Sequence, residues 1–305
     1  MTASDFSSSP RAVRAIGLGE VLWDLLPTGK QLGGAPANFS FHARQLGARS
    51  AVVSAVGRDA PGDEIFARLG ELGIDTQHVA VDDQHATGVV TVTLDSAGVP
   101  SYVIEPGAAW DFLPASPALM DAARDADVVC FGSLAQRSPM SRETIRAFLR
   151  ATPRDCLRIF DINLRQSFYD ADVIRHSMQL ANVLKINDQE LPVVAKLLDY
   201  AGNEAIVVRR LIEDFSLRLI ALTRGERGST LVALDETNGH PGLPAKLVDT
   251  VGAGDAFTAA VAIGLLRGES LPRINHAANR LAAYVCSQAG ATPAIPDALR
   301  ASLWE

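Results

Sequence analysis

Short apolar runs alternate with longer segments of helical period between residues 126 and 186, and no other feature of the chain narrows the possible folds as far. Residues 128–131, 157–160 and 183–186 read as strands, with helices at 141–150 and 170–180 between them. Continuous apolar runs of that length suit strands buried on both faces. Crossovers of that length join parallel strands through right-handed connections. The same rhythm comes earlier, with strands at 13–18, 50–56 and 79–81 and an amphipathic helix at 61–72. An α/β fold with a mainly parallel central sheet flanked by helices is the expectation. Such sheets bind ligands beyond the carboxyl ends of their strands, so the polar residues that follow each run are the candidates for a site.

Two β-rich runs interrupt the rhythm. Residues 87–94 and 101–104 flank Asp95-Ser96-Ala97-Gly98, a hairpin signal, and residues 21–26 form a further strand-like run. They predict a small second sheet, from about 20–32 and 87–105, able to fold over a substrate and exclude water. An ordinary surface hairpin would read the same way. The Ser-rich, polar start of the chain reads as a disordered tail over 1–11, leaving residues 12–305 as a single domain. A chain of 305 residues can bury roughly 75% of its unfolded surface, enough for a large core.

Near the C-terminal end, Asp249-Thr250-Val251-Gly252-Ala253-Gly254-Asp255 runs directly into an apolar segment at 256–266. A helix that is apolar all round belongs in a core, so its first turn lies deep in the protein. The first N–H groups of a helix have no internal partner and carry the positive end of the dipole. Gly252, Ala253 and Gly254 carry no side chain large enough to block an anion from reaching them. Asp255 would repel that anion, unless it takes the proton of a hydroxyl that attacks the anion's phosphorus. As a plain N-cap it would instead contribute about 1 kcal/mol. Read alone, the stretch suits both roles equally.

Other polar residues stand at predicted strand ends. Asp24 interrupts an apolar strand, as an exposed edge residue or as an acceptor for the hydroxyls of a polyhydroxylated substrate. Gly33-Gly34-Ala35-Pro36-Ala37-Asn38 leads into a helix at 39–46 with Gly47 as its stop; the paired glycines let a ligand touch backbone, and Asn38 can donate and accept. Asp161, Asn163 and Arg165 follow one strand, Asn187 and Glu190 another, and Thr223, Gly225 and Gly228 the strand at 217–222. Each has a bland reading as a cap, a surface cation or a turn. Their joint placement at carboxyl ends argues for a site. Beyond them, 231–234 reads as a strand and 275–286 as a mostly apolar helix.

Composition removes several function classes. With 28 Lys+Arg against 35 Asp+Glu the net charge is -7, which offers no basic field for nucleic acid or an anionic membrane. No apolar run reaches the ~18 residues of a membrane span. Cys130, Cys156 and Cys286 are odd in number and widely spaced in apolar surroundings, the pattern of reduced core cysteines in a cytoplasmic protein. No metal-type Cys/His spacing appears. The lack of G-x-x-x-x-G-K-[ST] excludes a phosphate-loop NTPase, and the lack of G-x-G-x-x-G after the first strand disfavours a dinucleotide-dependent dehydrogenase.

Taken together, Gly252-Ala253-Gly254-Asp255, Gly33-Gly34 with Asn38, Asn187-x-x-Glu190 and Thr223-x-Gly225-x-x-Gly228 make the chain resemble the ribokinase/PfkB family of carbohydrate kinases over almost its whole length. Gly19-Glu20-x-x-x-Asp24 and Asp161-x-Asn163-x-Arg165 are most similar to bacterial fructokinases; ketodeoxygluconate kinases share the second. The resemblance implies a ribokinase-like fold with a β lid and ATP-dependent phosphorylation of fructose or a similar ketose. It makes Asp255 the base, with Gly252, Ala253 and Gly254 around the transferred phosphoryl group and Arg165 near it. Asp24, Gly33, Gly34 and Asn38 would hold the sugar; Asn187, Thr223, Gly225, Gly228 and Gly254 the nucleotide; Glu190 would act on Mg²⁺ through water. It also implies a K⁺ held by Asp249, Val251, Val285, Gln288 and Gly290, although Ala294 stands where some potassium-dependent relatives have a hydroxyl residue. Lid edges that pair between subunits allow a homodimer. Ketodeoxygluconate kinase and a non-catalytic sugar or nucleotide sensor are the competing readings.

Overall fold

The computed structural model describes residues 11–26, 29–94 and 100–305. Along the chain run β1 (Arg14–Leu18), β2 (Leu22–Leu26), β3 (Gly29–Gly33), α1 (Ala35–Gln45), β4 (Arg49–Gly57), α2 (Ala60–Glu71), β5 (Val79–Asp82), β6 (Gly88–Leu94) and β7 (Pro100–Ile104). There follow α3 (Pro117–Arg124), β8 (Val128–Phe131), α4 (Pro139–Ala151), β9 (Leu157–Asp161), α5 (Ala171–Leu180), β10 (Val183–Asn187), α6 (Glu190–Leu197) and α7 (Glu204–Phe215). The last elements are β11 (Leu219–Thr223), β12 (Ser229–Val232), β13 (Thr237–His240), α8 (Ala253–Leu266), α9 (Leu271–Cys286) and α10 (Asp297–Ala301). The hairpin turn expected at Asp95–Gly98 and nearly all of the expected tail lie outside the described residues. Arg11 is described and pairs with Asp127 at 2.8 Å.

Nine strands form the main sheet in the order β13-β12-β11-β10-β9-β8-β1-β4-β5. All neighbours from β11 to β5 are parallel; β12 and β13 add an antiparallel edge. The chain builds outward from β1 to β4 and β5, then returns to β8 on the other side of β1 and builds the opposite way. Between β1 and β8 the direction of winding reverses, and there the loops part to leave a crevice at the strands' carboxyl ends. A second sheet, in the order β3-β2-β6-β7, stands over that end. Its β2 pairs with β6 in parallel, Leu22 opposite Gly88, although β3, α1, β4, α2 and β5 all intervene along the chain. No hairpin rule predicts that pair.

Helices cover both faces of the main sheet. One core contains Phe39 of α1, Ala259 and Val261 of α8 and Leu281 of α9; the other contains Leu119, Ile145, Ile174, Leu191 and Leu211 from α3 to α7. Residues 255–264 of α8 are buried without a break, which explains the lack of a polar face in its sequence. Burial of α8 carries its first turn into the crevice. The strand expected at 231–234 is displaced to Ser229–Val232, because Ala233 N–H donates to Glu236 O and closes a turn there. Cys130 and Cys156 are buried and free; Cys286 is free but only half-buried, so it is less a core residue than its sequence setting implies.

Candidate active site

A cavity of about 960 Å³ lies between the lid sheet and the switch point of the main sheet. Asp24, Gly34, Asn38, Arg165, Val251, Gly252, Gly254 and Asp255, all singled out from sequence, line it. Gly33, Ala253, Asn187, Glu190, Thr223, Gly225 and Gly228 do not.

The lid wall is built by close packing of backbone. A Cβ on Gly33 would lie 2.2 Å from Asp24 Oδ2, so glycine there leaves room for the carboxylate of the facing strand β2. Gly34 caps α1 with φ 105°, and a Cβ on it would meet Glu20 O at 2.4 Å. Burial raises the Asp24 carboxyl to about 6, with Arg165 pulling the other way. Asn38, one turn into α1, donates from Nδ2 to Asp255 Oδ2 at 2.9 Å. One hydrogen bond thus joins the helix that follows the lid to the helix that carries the acid.

At the start of α8, Gly252 takes φ 78°, and a Cβ on it would strike Ala291 O at 2.5 Å. The N–H groups of Gly254 and Asp255 have no acceptor among the described residues, whereas Ala253 N–H turns back on Thr250 O at 3.3 Å. The open donors among the described residues are Gly254 and Asp255, and Ala253 N–H, expected beside them, has Thr250 O as an acceptor. Asp255 is 9% exposed. Burial, reinforced by the nearby Asp161 charge, raises its carboxyl to about 6; the Asn38 hydrogen bond and the charges of Lys185 and Arg165 oppose the rise.

Beneath this turn lies an ion pair that sequence reasoning missed. Lys185 Nζ, on β10, is 3.0 Å from Asp161 Oδ1, on β9, with side-chain exposures of 7% and 3%. Asp161 Oδ2 lies 3.0 Å from Thr258 Oγ1 on α8. A Cβ on Gly254 would come within 3.2 Å of Lys185 Nζ, so the ammonium lies against the first turn of α8. Burial works to lower the Lys185 pKa, but the Asp161 and Glu190 charges outweigh it and the net shift is upward. The site holds a permanent cation. Its signal was present in the sequence: one lysine inside an otherwise apolar buried strand is rare unless it is paired.

Asn187 and Glu190 form a reciprocal helix cap. Asn187 Oδ1 accepts from Glu190 N–H at 2.8 Å, and Glu190 Oε2 accepts from Asn187 N–H at 2.9 Å. Glu190 Oε1 also accepts from Leu164 N–H at 3.0 Å, tying the loop after β9 to the loop after β10. In that loop Asn163 takes φ 47°, a left-handed conformation that asparagine tolerates better than most residues, and its Oδ1 accepts from Arg165 Nη2 at 3.1 Å. No group of three His, Cys, Asp or Glu side chains suited to a metal occurs among the described residues. This donor set fits Mg²⁺ only as an ion that arrives on phosphates and keeps much of its water.

Thr223, Gly225 and Gly228 form a tight turn between β11 and β12, next along the sheet from Asn187; Gly228 takes φ 78° and passes so close to β13 that a Cβ would lie 2.0 Å from His240 O. In the expected K⁺ loop, Asp249 Oδ1 accepts from Val251 N–H and Oδ2 from Gly290 N–H, both at 3.0 Å, and Val285 O accepts from Gln288 N–H. Asp249 Oδ1 thus closes the turn of its own segment, and Oδ2 ties that segment to the one at Gly290.

An α/β body, a four-stranded lid and an acid beside open helix N–H groups define a class, and comparison supplies its name. Residues 25–298 match the pfkB family of carbohydrate kinases, and the chain belongs to that family. It is a phosphotransferase that acts on a sugar hydroxyl. A fructokinase of Salmonella typhimurium is 32% identical over 262 residues, which cover 81% of this chain and 83% of the relative. The crystal structure of an uncharacterized sugar kinase from Pyrococcus horikoshii in complex with ATP has a TM-score of 0.76 at 27% identity, covering 92% of this chain and 94% of that one. That of a fructokinase from Vibrio cholerae with fructose, ADP and calcium has a TM-score of 0.78 at 25% identity, covering 96% and 99%.

Proposed function

We propose that this kinase transfers the γ-phosphoryl group of ATP to a hydroxyl of fructose or a similar ketose. One observation carries the reading: a buried acid, Asp255, shares the first turn of α8 with open N–H groups and sits over a buried lysine. A carboxylate in that company is badly placed to bind an anion. It is well placed to take a proton from an alcohol that attacks one.

Asp24 and Asn38 bind sugar hydroxyls in the cavity and hold one of them against Asp255. As its oxygen bonds to the γ-phosphorus, the hydroxyl proton passes to Asp255 and the bond from phosphorus to the β-phosphate oxygen breaks, leaving ADP. The transition state is loose, so positioning and charge neutralisation supply most of the acceleration. Gly254 and Asp255 N–H donate to the transferring group from one side and Lys185 faces it from below. Mg²⁺ on the ATP phosphates, with Glu190 acting on it through water, would supply neutralisation of their charge. Asn187, Thr223, Gly225 and Gly228 line the approach of the nucleotide at neighbouring strand ends. The ATP of the Pyrococcus complex and the fructose and ADP of the Vibrio complex support this choice of substrates.

A ketodeoxygluconate kinase is the second reading, since Arg165 is exposed at the cavity and, among the described residues, its guanidinium bonds only Asn163 Oδ1 and Leu164 O, leaving it able to meet a substrate carboxylate. ADP release measured over fructose, ribose, tagatose, mannose and ketodeoxygluconate, with fructose competing against ketodeoxygluconate, ranks the substrates. Fructose is expected first. Preference for ketodeoxygluconate would replace it, and no ADP release with any sugar would overturn the proposal.

A further inference from the structure

Two acceptor atoms in the wall of the cavity are buried without a donor. Glu20 is 6% exposed and Asn38 4%, both residues line the cavity, and neither Glu20 Oε2 nor Asn38 Oδ1 has a hydrogen-bond partner. Asn38 Nδ2 is committed to Asp255. The backbone N–H groups of Glu20 itself and of Ala35 lie near enough to the Glu20 carboxyl to favour its ionised form. Ala35 opens α1, and a first-turn N–H has no partner within its own helix.

Proximity to the first turn of α1 suits a carboxylate on the turn between β1 of the body and β2 of the lid. It leaves Oε2 unexplained. Buried polar atoms are nearly always satisfied, and one left without a partner forfeits its solvation for nothing. Burial also drives the Glu20 carboxyl up to about 7, with the Asp255 charge adding to the rise and Arg165 opposing it. A carboxylate that only capped α1 would gain nothing from this position beside the proposed base. Both orphaned atoms are acceptors, so the missing group is a donor, and a polyol supplies several.

We infer that Glu20 Oε2 accepts a hydrogen bond from a sugar hydroxyl other than the one facing Asp255, which makes Glu20 a second substrate-contacting carboxylate beside Asp24. Asn38 Oδ1 takes another hydroxyl of the same sugar. The inference rests on the proposed sugar kinase activity and adds a requirement to it: a deoxy sugar that lacks the hydroxyl facing Glu20 is rejected, because its binding would leave a buried carboxylate oxygen unpaired.

Kinetics of the wild type, Glu20→Gln and Glu20→Ala test this, with whichever of D-fructose, D-tagatose and D-ribose has the highest kcat/KM and with its monodeoxy derivatives. One deoxy sugar should lose about 10–100-fold in kcat/KM with the wild type, the range for a hydrogen bond to a charged acceptor. In Glu20→Ala its penalty should shrink by about tenfold, with Glu20→Gln in between and KM for ATP within about twofold of the wild type. A glutamate that merely caps α1 would lower the melting temperature and weaken all the sugars alike. Penalties that agree within about twofold between wild type and Glu20→Ala for every deoxy sugar overturn the inference. Wild-type enzyme that releases no ADP with any of the three sugars overturns the activity on which it rests, and that result appears before any variant is measured.

Discussion

Asn38 Nδ2 and Asp255 Oδ2 are 2.9 Å apart although 217 positions separate them in sequence. The hydrogen bond stabilises the ionised carboxylate. Asp255→Asn removes the proton acceptor and keeps the volume, so kcat should fall by about 10²–10⁴-fold while sugar binding is held. Turnover kinetics with a binding measurement on the same variant check it; near-normal kcat would remove Asp255 from the role of base.

The same carboxyl sets the acid limb of the pH profile. With its pKa raised to about 6 by burial, Asp255 is protonated and unable to accept below that pH and ionised above it. The expected kcat/KM therefore rises with pH through about 6. Asp24, raised to about 6, steepens the limb, and Glu20, raised to about 7, carries it on through neutrality. A profile flat from about pH 5 to 8 would contradict these assignments.

Lys185 and Asp161 form a buried pair, and breaking such a pair costs about 3–5 kcal/mol because one charge is left uncompensated. Lys185→Met should therefore destabilise the fold strongly. The double variant Lys185→Met with Asp161→Asn should recover most of that stability without recovering activity, since no cation then faces the phosphoryl group. Denaturant melts and ADP release on the single and double variants separate the two effects. Activity restored along with stability would make the lysine a purely structural residue.

Gly254 tests the open turn of α8 at smaller scale. A methyl group there would sit 3.2 Å from Lys185 Nζ and beside the two open N–H groups. Gly254→Ala should lower kcat by about 10²-fold, the usual loss of one oxyanion donor, with little change in the melting temperature. Unaltered ATP kinetics would place the phosphoryl group elsewhere.

His42 predicts a pH effect on stability that is independent of catalysis. It is buried in α1, its Nε2 is 2.9 Å from Ala291 O, and burial lowers its pKa to about 4. The unfolded chain binds a proton near pH 6.5 that the folded chain refuses until about 4, so this contribution is complete above 6.5 and is lost as pH falls through that window. Between pH 7 and 5 the loss should be about 2 kcal/mol. His42→Gln, which keeps a donor for Ala291 O, should show a smaller loss over the same range in urea melts. Equal losses in both proteins would assign the acid sensitivity to other groups.

Much of this was legible in the chain because it depends on local chemistry. The strands at 128–131 and 157–160 are short, mainly apolar runs, α8 is apolar from 256 to 266 but for Thr258, and Gly33, Gly34 and Gly252 mark tight backbone whatever lies around them. Asp255 could be proposed as a base because its neighbours in sequence are also its neighbours in space. Asn187 and Glu190 could be flagged but not explained: their spacing is that of a capping box, and only the fold shows both side chains engaged with backbone N–H groups.

Relations between distant segments were not legible in this way. Lys185 reads as a blemish in an apolar strand until β9 places Asp161 beside it and α8 sets Gly254 above it. Glu20 reads as a motif letter until burial strips its carboxylate of water and leaves Oε2 without a partner. The parallel sheet, the buried helix and the acid at its head follow from the order of residues, since periodicity and turn chemistry act over a few positions. The charges around that acid, its raised pKa and the orphaned acceptors in its cavity came only with the fold, because desolvation and Coulomb interaction depend on distance in space and not on distance along the chain.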